Sequence, residues 1–380
     1  MRSDRAGRPS SLLPATARAA SPFWRWLPLL PLAASPQPLT LGEGGTPLVE
    51  SRRWPGRVWW KDESQNPTGS QKDRPLALAV ADARGRGARL VAAFSAGSVG
   101  LSAAAYAARA GLPCAILMSD GVPEGRVAPL AALGARLLEV PVGIDEGIAA
   151  LSRLGGRHGI YVASTTRAAN AVQAEAGRTI AFEVVEDLGR APDRIVVPVG
   201  GGGTVAAIHD GFAQLLAAGV TDRLPQVVAV VPDRYDLLAR ALATNVGSWE
   251  GFAALPPPAG GPTVLNKIAH AHAPDGVHAL RALRESNGRV LAFSDEEALA
   301  AVPEVGASEG LYLEPSSAIA WPALRALEAE NALVGGVTVA LACGSGFRET
   351  HVLTGRGRTP RESLPLDAME GRLARLAEAP

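Results

Sequence analysis

Between Leu90 and Ala163 short apolar runs alternate with helix-length segments, and this alternation restricts the fold more than any other feature of the chain. Leu90 to Phe94 is an apolar run followed by a small polar loop, the pattern of a buried strand. Helices are predicted over Val99 to Ala110, around Val127 to Leu133 and over Glu146 to Arg153, with strands at Cys114 to Met118, Arg136 to Val140 and Ile160 to Ala163. Strand and helix in strict succession are the signature of parallel βαβ units, so the chain is predicted to be α/β. After a long predicted helix, about Ala171 to Leu188, the pattern resumes. A strand at Arg194 to Val199 runs into the glycines Gly200 to Gly203, and an apolar helix follows to about Ala217. Strands at Gln226 to Val231, Arg289 to Phe293 and Val337 to Ala342 complete a larger parallel sheet, with helices around Glu296 to Val302, Ser317 to Glu328 and beyond Asp367. Trp249 to Thr263, rich in proline and glycine, reads as a loop.

At 380 residues and 47% hydrophobic, the chain is long enough for two packed domains. Basic and acidic residues balance at 37 each and no basic stripe appears, which argues against nucleic acid or an anionic membrane surface as partner. Cys114 and Cys343 lie far apart in apolar contexts, which fits reduced thiols and a cytoplasmic setting. The tryptophan- and leucine-rich stretch Phe23 to Ala34 is interrupted by Pro28 and Pro31 and is too short to cross a bilayer, so no membrane anchor is expected. Residues before about Ser21, rich in Arg, Ser and Pro, are expected to be poorly ordered.

The chemistry concentrates in Asn66-Pro67-Thr68-Gly69-Ser70-Gln71-Lys72-Asp73-Arg74. The chain has three lysines, Lys61, Lys72 and Lys267, and Lys72 sits on a small polar turn before an alanine-rich helix. A lysine partly removed from water has its ammonium form disfavoured, and the free amine is a nucleophile toward aldehydes. From the segment alone, a surface lysine near a helix start is the competing reading. Gly200 to Thr204 suits an anion, because consecutive glycines let backbone N–H groups converge and the next helix adds its positive end. A phosphate is the natural guest, each charge-assisted bond contributing about 1.5–3 kcal/mol. The loop lacks both the Gly-Lys-Ser/Thr ending of a nucleotide P-loop and the Gly-x-Gly-x-x-Gly spacing of a dinucleotide site. Ser95, Ala96, Gly97, Ser98 and Val99, between a strand and a helix N-terminus, are placed to offer N–H groups to a substrate carboxylate, with a plain tight turn as the alternative. Cys343 read alone is an ordinary buried cysteine, and Glu314-Pro315-Ser316 read alone is a helix start capped at Ser316. His270 and His272 alternate as on one face of a strand, without further ligands at metal spacing, so no metal is expected.

The nonapeptide resembles the cofactor-lysine motif of the threonine synthase branch of fold-type II pyridoxal-phosphate enzymes, departing from its common form only at Gln71. Leu41 to Leu48 is similar to the opening motif of that family, and similarity recurs to about Glu349. The resemblance implies pyridoxal 5'-phosphate on Lys72 in the cleft between two domains of parallel or mixed sheet, and a homodimer. Residues 38–89 and 178–355 would form the larger, cofactor-binding domain and 90–177 a smaller, mobile one, with residues 1–37 a partly disordered arm and 356–380 a C-terminal tail. It further implies that Gly200, Gly201, Gly202, Gly203 and Thr204 hold the phosphate, that Cys343 faces the pyridine nitrogen, and that Glu314 borders the cofactor. Ser98 stands where the family has an asparagine bonded to the phenolic oxygen of the ring. The implied reaction is elimination or replacement on a small amino acid, threonine synthase being the nearest named activity. The four glycines look more like those of serine/threonine dehydratases, and Arg167 and Arg178 are the arginines nearest the family's substrate-phosphate segment. A dehydratase, a specialised replacement enzyme and a catalytically silent cofactor-binding relative remain alternatives.

Overall fold

The computed structural model describes residues 21–350, 352 and 361–378. The expectation of poor order before Ser21 lies outside the described residues. Contacts divide the chain after Arg348 into a large unit and a small C-terminal one.

In the large unit a six-stranded sheet is formed by β1 (Leu48–Glu50), β2 (Val58–Asp62), β7 (Arg194–Pro198), β8 (Gln226–Pro232), β9 (Arg289–Phe293) and β10 (Thr338–Ala342) in the order β1-β2-β10-β7-β8-β9. Only β1 runs antiparallel to its neighbour. A second sheet is fully parallel, with β3 (Leu90–Phe94), β4 (Cys114–Met118), β5 (Arg136–Glu139) and β6 (Ile160–Val162) in the order β5-β4-β3-β6. Its strands join through α2 (Ser98–Ala110), α3 (Glu124–Ala132) and α4 (Ile144–Ser152), and α1 (Asp73–Gly85) leads into it from the larger sheet. The strands β7, β8 and β10 are runs of buried Val, Ile, Leu and Ala, as expected of parallel strands covered on both faces.

Several elements differ from the sequence expectation. The helix expected over 171–188 is broken into α5 (Ala171–Ala174), a 3₁₀ turn at Glu175–Gly177 and α6 (Arg178–Leu188). The turn sits where Gly177 packs so closely on α7 (Gly203–Ala217) that a Cβ there would stand 2.7 Å from Ala207 Cβ. The loop expected over 249–263 contains α9 (Trp249–Ala253), started by the Ser248 hydroxyl accepting from Gly251 N–H at 3.1 Å, and α8 (Leu237–Ala243) and α10 (Gly276–Glu285) had no sequence counterpart. The helix expected to stop at Val302 runs on through Pro303 as α11 (Asp295–Glu309). Buried Val302 and Val305 hold it on either side of the exposed proline, against a propensity cost of about 3 kcal/mol. A further helix splits into α12 (Pro315–Ala318) and α13 (Ala320–Ala329). His270 and His272 lie in irregular chain rather than on a strand.

Within the N-terminal arm, residues 23–30 pack into the core, while most of residues 31–37 are exposed. Trp24–Leu29 is a 3₁₀ helix in which Phe23, Trp24 and Trp26 are buried, and the Trp26 ring packs on Phe182 of α6 at 5.5 Å. No helix among the described residues is long and apolar enough to cross a membrane. The small unit, described by itself, carries α14 (Met369–Glu378) after a 3₁₀ turn at Leu366–Ala368, with Arg372 paired to Glu362 at 2.8 Å.

Candidate active site

Lys72 closes a turn held by a dense set of hydrogen bonds. Gly69, at φ +81°, lets Gly69 N–H reach back to Asn66 C=O at 2.8 Å. Asn66 in turn donates to Glu63 at 2.8 Å and accepts from Gly44 N–H at 3.0 Å. Asp73, first residue of α1, accepts from Thr68 N–H and Thr68 Oγ1, both at 2.6 Å, and from Ser102 Oγ at 2.7 Å. The turn is stitched to the exit of β10, with Gln71 N–H on Cys343 C=O at 2.9 Å and Ser345 N–H on Gly69 C=O at 2.9 Å. Among the described residues Lys72 Nζ makes no ion pair, and burial holds its pKa below the ordinary value of 10.5, against the opposing pull of Cys343 and Asp275. A larger share of free amine at neutral pH follows.

Lys72 lies on the wall of a cavity of about 320 Å³. The two loops singled out in the sequence, Ser95 to Val99 and Gly200 to Thr204, line the same cavity. Gly97 caps α2, and Gly97 N–H donates to Ser95 Oγ at 3.2 Å. The glycines are required by close approach: a Cβ on Gly200 would stand 2.7 Å from Ile268 Cα, and one on Gly202, at φ +96°, 2.9 Å from Asp275 C=O. Among the described residues the N–H groups of Gly200 to Thr204 donate to no protein acceptor. Consecutive orphan donors at the start of a 15-residue helix, facing a cavity, fit a phosphate ester.

Cys343 closes β10 beside Lys72, and burial, with Glu314 adding, pushes its thiol well above the ordinary range, so it is neutral. Glu314 is the N-cap of α12 without a side-chain cap bond, so Ser316 is not the helix cap. Its carboxylate lies against Gly344, 2.7 Å from where a Cβ would stand, and pairs with Lys267. A neutral thiol fits a pyridine nitrogen left unprotonated.

The structure thus brings Lys72, Ser95 to Val99, Gly200 to Thr204, Glu314 and Cys343 to one cavity. Arg167 and Arg178 are not on its wall. Arg167 Nη1 pairs with Glu175 at 2.7 Å, and Arg178 pairs with Glu175 at 2.5 Å and donates to Asp210 C=O at 3.0 Å. Their charges are committed to the shared carboxylates of Glu175 and Asp210, between α5, α6 and α7. The cationic groups on the wall besides Lys72 are Arg126 and Lys267. Asp275 was also missed: its carboxylate accepts from Arg167 N–H at 3.0 Å beside Gly203, and burial raises its pKa, against Arg167, His278 and Lys72. The rarity of lysine flagged Lys267; nothing local flagged Arg126 or Asp275.

The sequence model of the family described as pyridoxal-phosphate dependent enzyme matches residues 39–344. A threonine synthase of Methanosarcina acetivorans is 33% identical over 311 residues, covering 80% of this chain and 74% of that protein. A threonine synthase of Mycobacterium tuberculosis is 33% identical over 326 residues, 84% of this chain and 86% of the other. Among solved structures, O-ureido-L-serine synthase superposes with a TM-score of 0.66 at 24% identity over 86% of this chain and 96% of its own. The processed form of threonine deaminase isoform 2 from Solanum lycopersicum does so with a TM-score of 0.67 at 19% identity, over 82% and 84%. At those identities the likeness to the solved structures is one of fold.

Proposed function

This chain belongs to the pyridoxal-phosphate dependent enzyme family, and we propose that it is a lyase of the threonine synthase kind, converting O-phosphohomoserine and water to threonine and phosphate. The observation that carries the reading is the buried amine of Lys72, without an ion pair among the described residues, sharing one cavity with N–H groups of Gly200 to Thr204 that donate to no described protein acceptor. Relatives named threonine synthase, 30–33% identical over most of the chain, support the substrate.

Pyridoxal phosphate, when bound, supplies an aldehyde that captures an amino group and a ring that accepts the electron pair of a bond broken at the α-carbon. Lys72 would hold it through Nζ, the glycine loop would hold its phosphate, and Cys343 would face the ring nitrogen. As a free amine of lowered pKa, Lys72 Nζ would be suited to take the α-proton and return it. The N–H groups at the start of α2 orient the substrate carboxylate. Residues 90–177 would close over the larger, cofactor-binding domain and exclude water, and the protein would work in the cytoplasm as a homodimer.

A dehydratase acting on serine or threonine is favoured by one specific observation, that Arg167 and Arg178 are engaged by Glu175 and Asp210 and leave no arginine of that segment for a substrate phosphate. Incubating the purified protein separately with O-phosphohomoserine, threonine and serine, and following phosphate, threonine and 2-oxo acid, decides between them. Threonine and phosphate released together from O-phosphohomoserine are expected. Release of 2-oxo acid from threonine or serine without turnover of O-phosphohomoserine would replace the first reading with the second.

A further inference from the structure

Ser98 opens α2 on the cavity wall, and Nη1 of Arg348 donates to its Oγ at 2.9 Å across 250 residues of sequence. A guanidinium has no acceptor to offer, so the direction of this bond is fixed. The Ser98 oxygen accepts, and its own proton is left for an acceptor in the cavity. Among the described residues Arg348 makes no ion pair within 4 Å. Its side chain lies against the Lys72 turn, with Cδ 2.9 Å from where a Cβ on Gly69 would stand. The carboxylate it influences there is Asp73, whose oxygens are already taken by Thr68 and Ser102. Nε of Arg348 is buried with no acceptor among the described residues. The N-terminal end of the 13-residue α2 adds its own partial positive charge to the same hydroxyl.

We infer that Arg348 is a positioning residue that fixes Ser98 as a one-way hydrogen-bond donor to an anionic oxygen held in the cavity. An isolated serine hydroxyl rotates between donor and acceptor roles. One that accepts from a guanidinium is held as a donor and polarised toward giving its proton. Two anionic oxygens can meet it, the ring oxygen of the cofactor and the carboxylate of the amino-acid substrate. The inference rests on the cofactor being held at Lys72 and not on which amino acid is turned over.

The test uses the cofactor-loaded protein and its Arg348→Gln, Arg348→Lys, Ser98→Ala and Ser98→Ala/Arg348→Gln variants. Two quantities are read: the pH midpoint of the visible absorption band without substrate, and the dissociation constant of the amino acid that the parent turns over. If the partner is the ring oxygen, Arg348→Gln raises the midpoint by about one pH unit, because the lost positive charge no longer favours release of the proton there. Ser98→Ala then reproduces the shift, the double variant goes no further, and Arg348→Lys retains most of the parent value. If the partner is the substrate carboxylate, the midpoint stays and the dissociation constant rises about tenfold in both single variants, with kcat changing less. Parent values of both quantities in Arg348→Gln, or single-variant effects that add in the double variant, overturn the inference. Should Arg348→Gln not fold, parent values of both quantities in Ser98→Ala overturn it equally. A parent protein with no visible band is a different result, since it removes the cofactor from Lys72 itself.

Discussion

Lys72 and Arg74 stand two residues apart at the start of α1, yet the polar groups around them are treated in opposite ways. Arg74, fully buried, meets Glu63 and Glu183 bidentately, with four contacts of 2.7 Å, and Lys61 closes the group on Glu183 at 2.8 Å. Every charge there has a countercharge. Among the described residues the Lys72 amine has no ion-pair partner, and the N–H groups of the glycine loop lining the same cavity have no protein acceptor. A buried charge without a partner costs several kcal/mol, so a fold keeps unpaired groups only where a ligand completes them. The paired region secures the turn; the unpaired one is where the proposed chemistry is placed.

The contrast is broken or sharpened first at Lys72. Lys72→Ala is expected to lower turnover by roughly three decades or more while leaving the thermal unfolding midpoint within a few degrees, because no contact of the paired region involves its side chain. Borohydride should fix the cofactor to Lys72 in the parent and to no lysine in the variant. Cofactor fixed on Lys267 or Lys61 instead would erase the distinction.

Glu183→Gln, by contrast, should cost about 3–5 kcal/mol in urea unfolding by leaving Arg74 and Lys61 partly unpaired. Burial alone would raise the Glu183 carboxyl, but Arg74 and Lys61 hold it well below its ordinary value of 4.5. A carboxyl depressed in the folded state contributes stability that is complete above the unfolded pKa and is lost as pH falls through the folded one. The parent should therefore lose stability on acidification below about pH 4.5, and the variant should lose less of it over the same range. An equal pH slope in both would show that the network is not what depresses this group.

A smaller effect is expected at Gly202. Its φ of +96° and the 2.9 Å approach to Asp275 C=O make Gly202→Ala cost about 1–3 kcal/mol in stability, and the displaced loop should bind the cofactor about tenfold more weakly. Unchanged cofactor retention would mean that the glycines serve only the packing of residues 268–275. The smallest effects belong to Arg167→Ala and Arg178→Ala, whose partly exposed ion pairs are worth about 1 kcal/mol or less. Turnover should stay within about threefold of the parent, since neither residue lines the cavity. A loss of a decade on O-phosphohomoserine, with the cofactor spectrum intact, would show that a paired region also works on the substrate.

Much of the site was legible because it is built from local geometry. A lysine on a polar turn, glycines between a strand and a helix, and a small-residue loop before α2 each announce themselves within about ten residues, and chain direction in parallel βαβ units gathers such loops at one end of the strands. The alternation of strands and helices likewise follows from side-chain periodicity and burial. What the sequence could not determine are pairings whose partners lie far apart along the chain. Arg167 and Arg178 look available in sequence and are occupied in space, because α7 brings Asp210 to them. Arg348 looks like a loop residue and reaches Ser98 over 250 positions, because the chain leaving β10 passes the start of α2. The break at Glu175–Gly177 and the passage of α11 through Pro303 were decided in the same way. Local propensity is worth about 1–3 kcal/mol at such points, and tertiary packing of buried neighbours outweighs it.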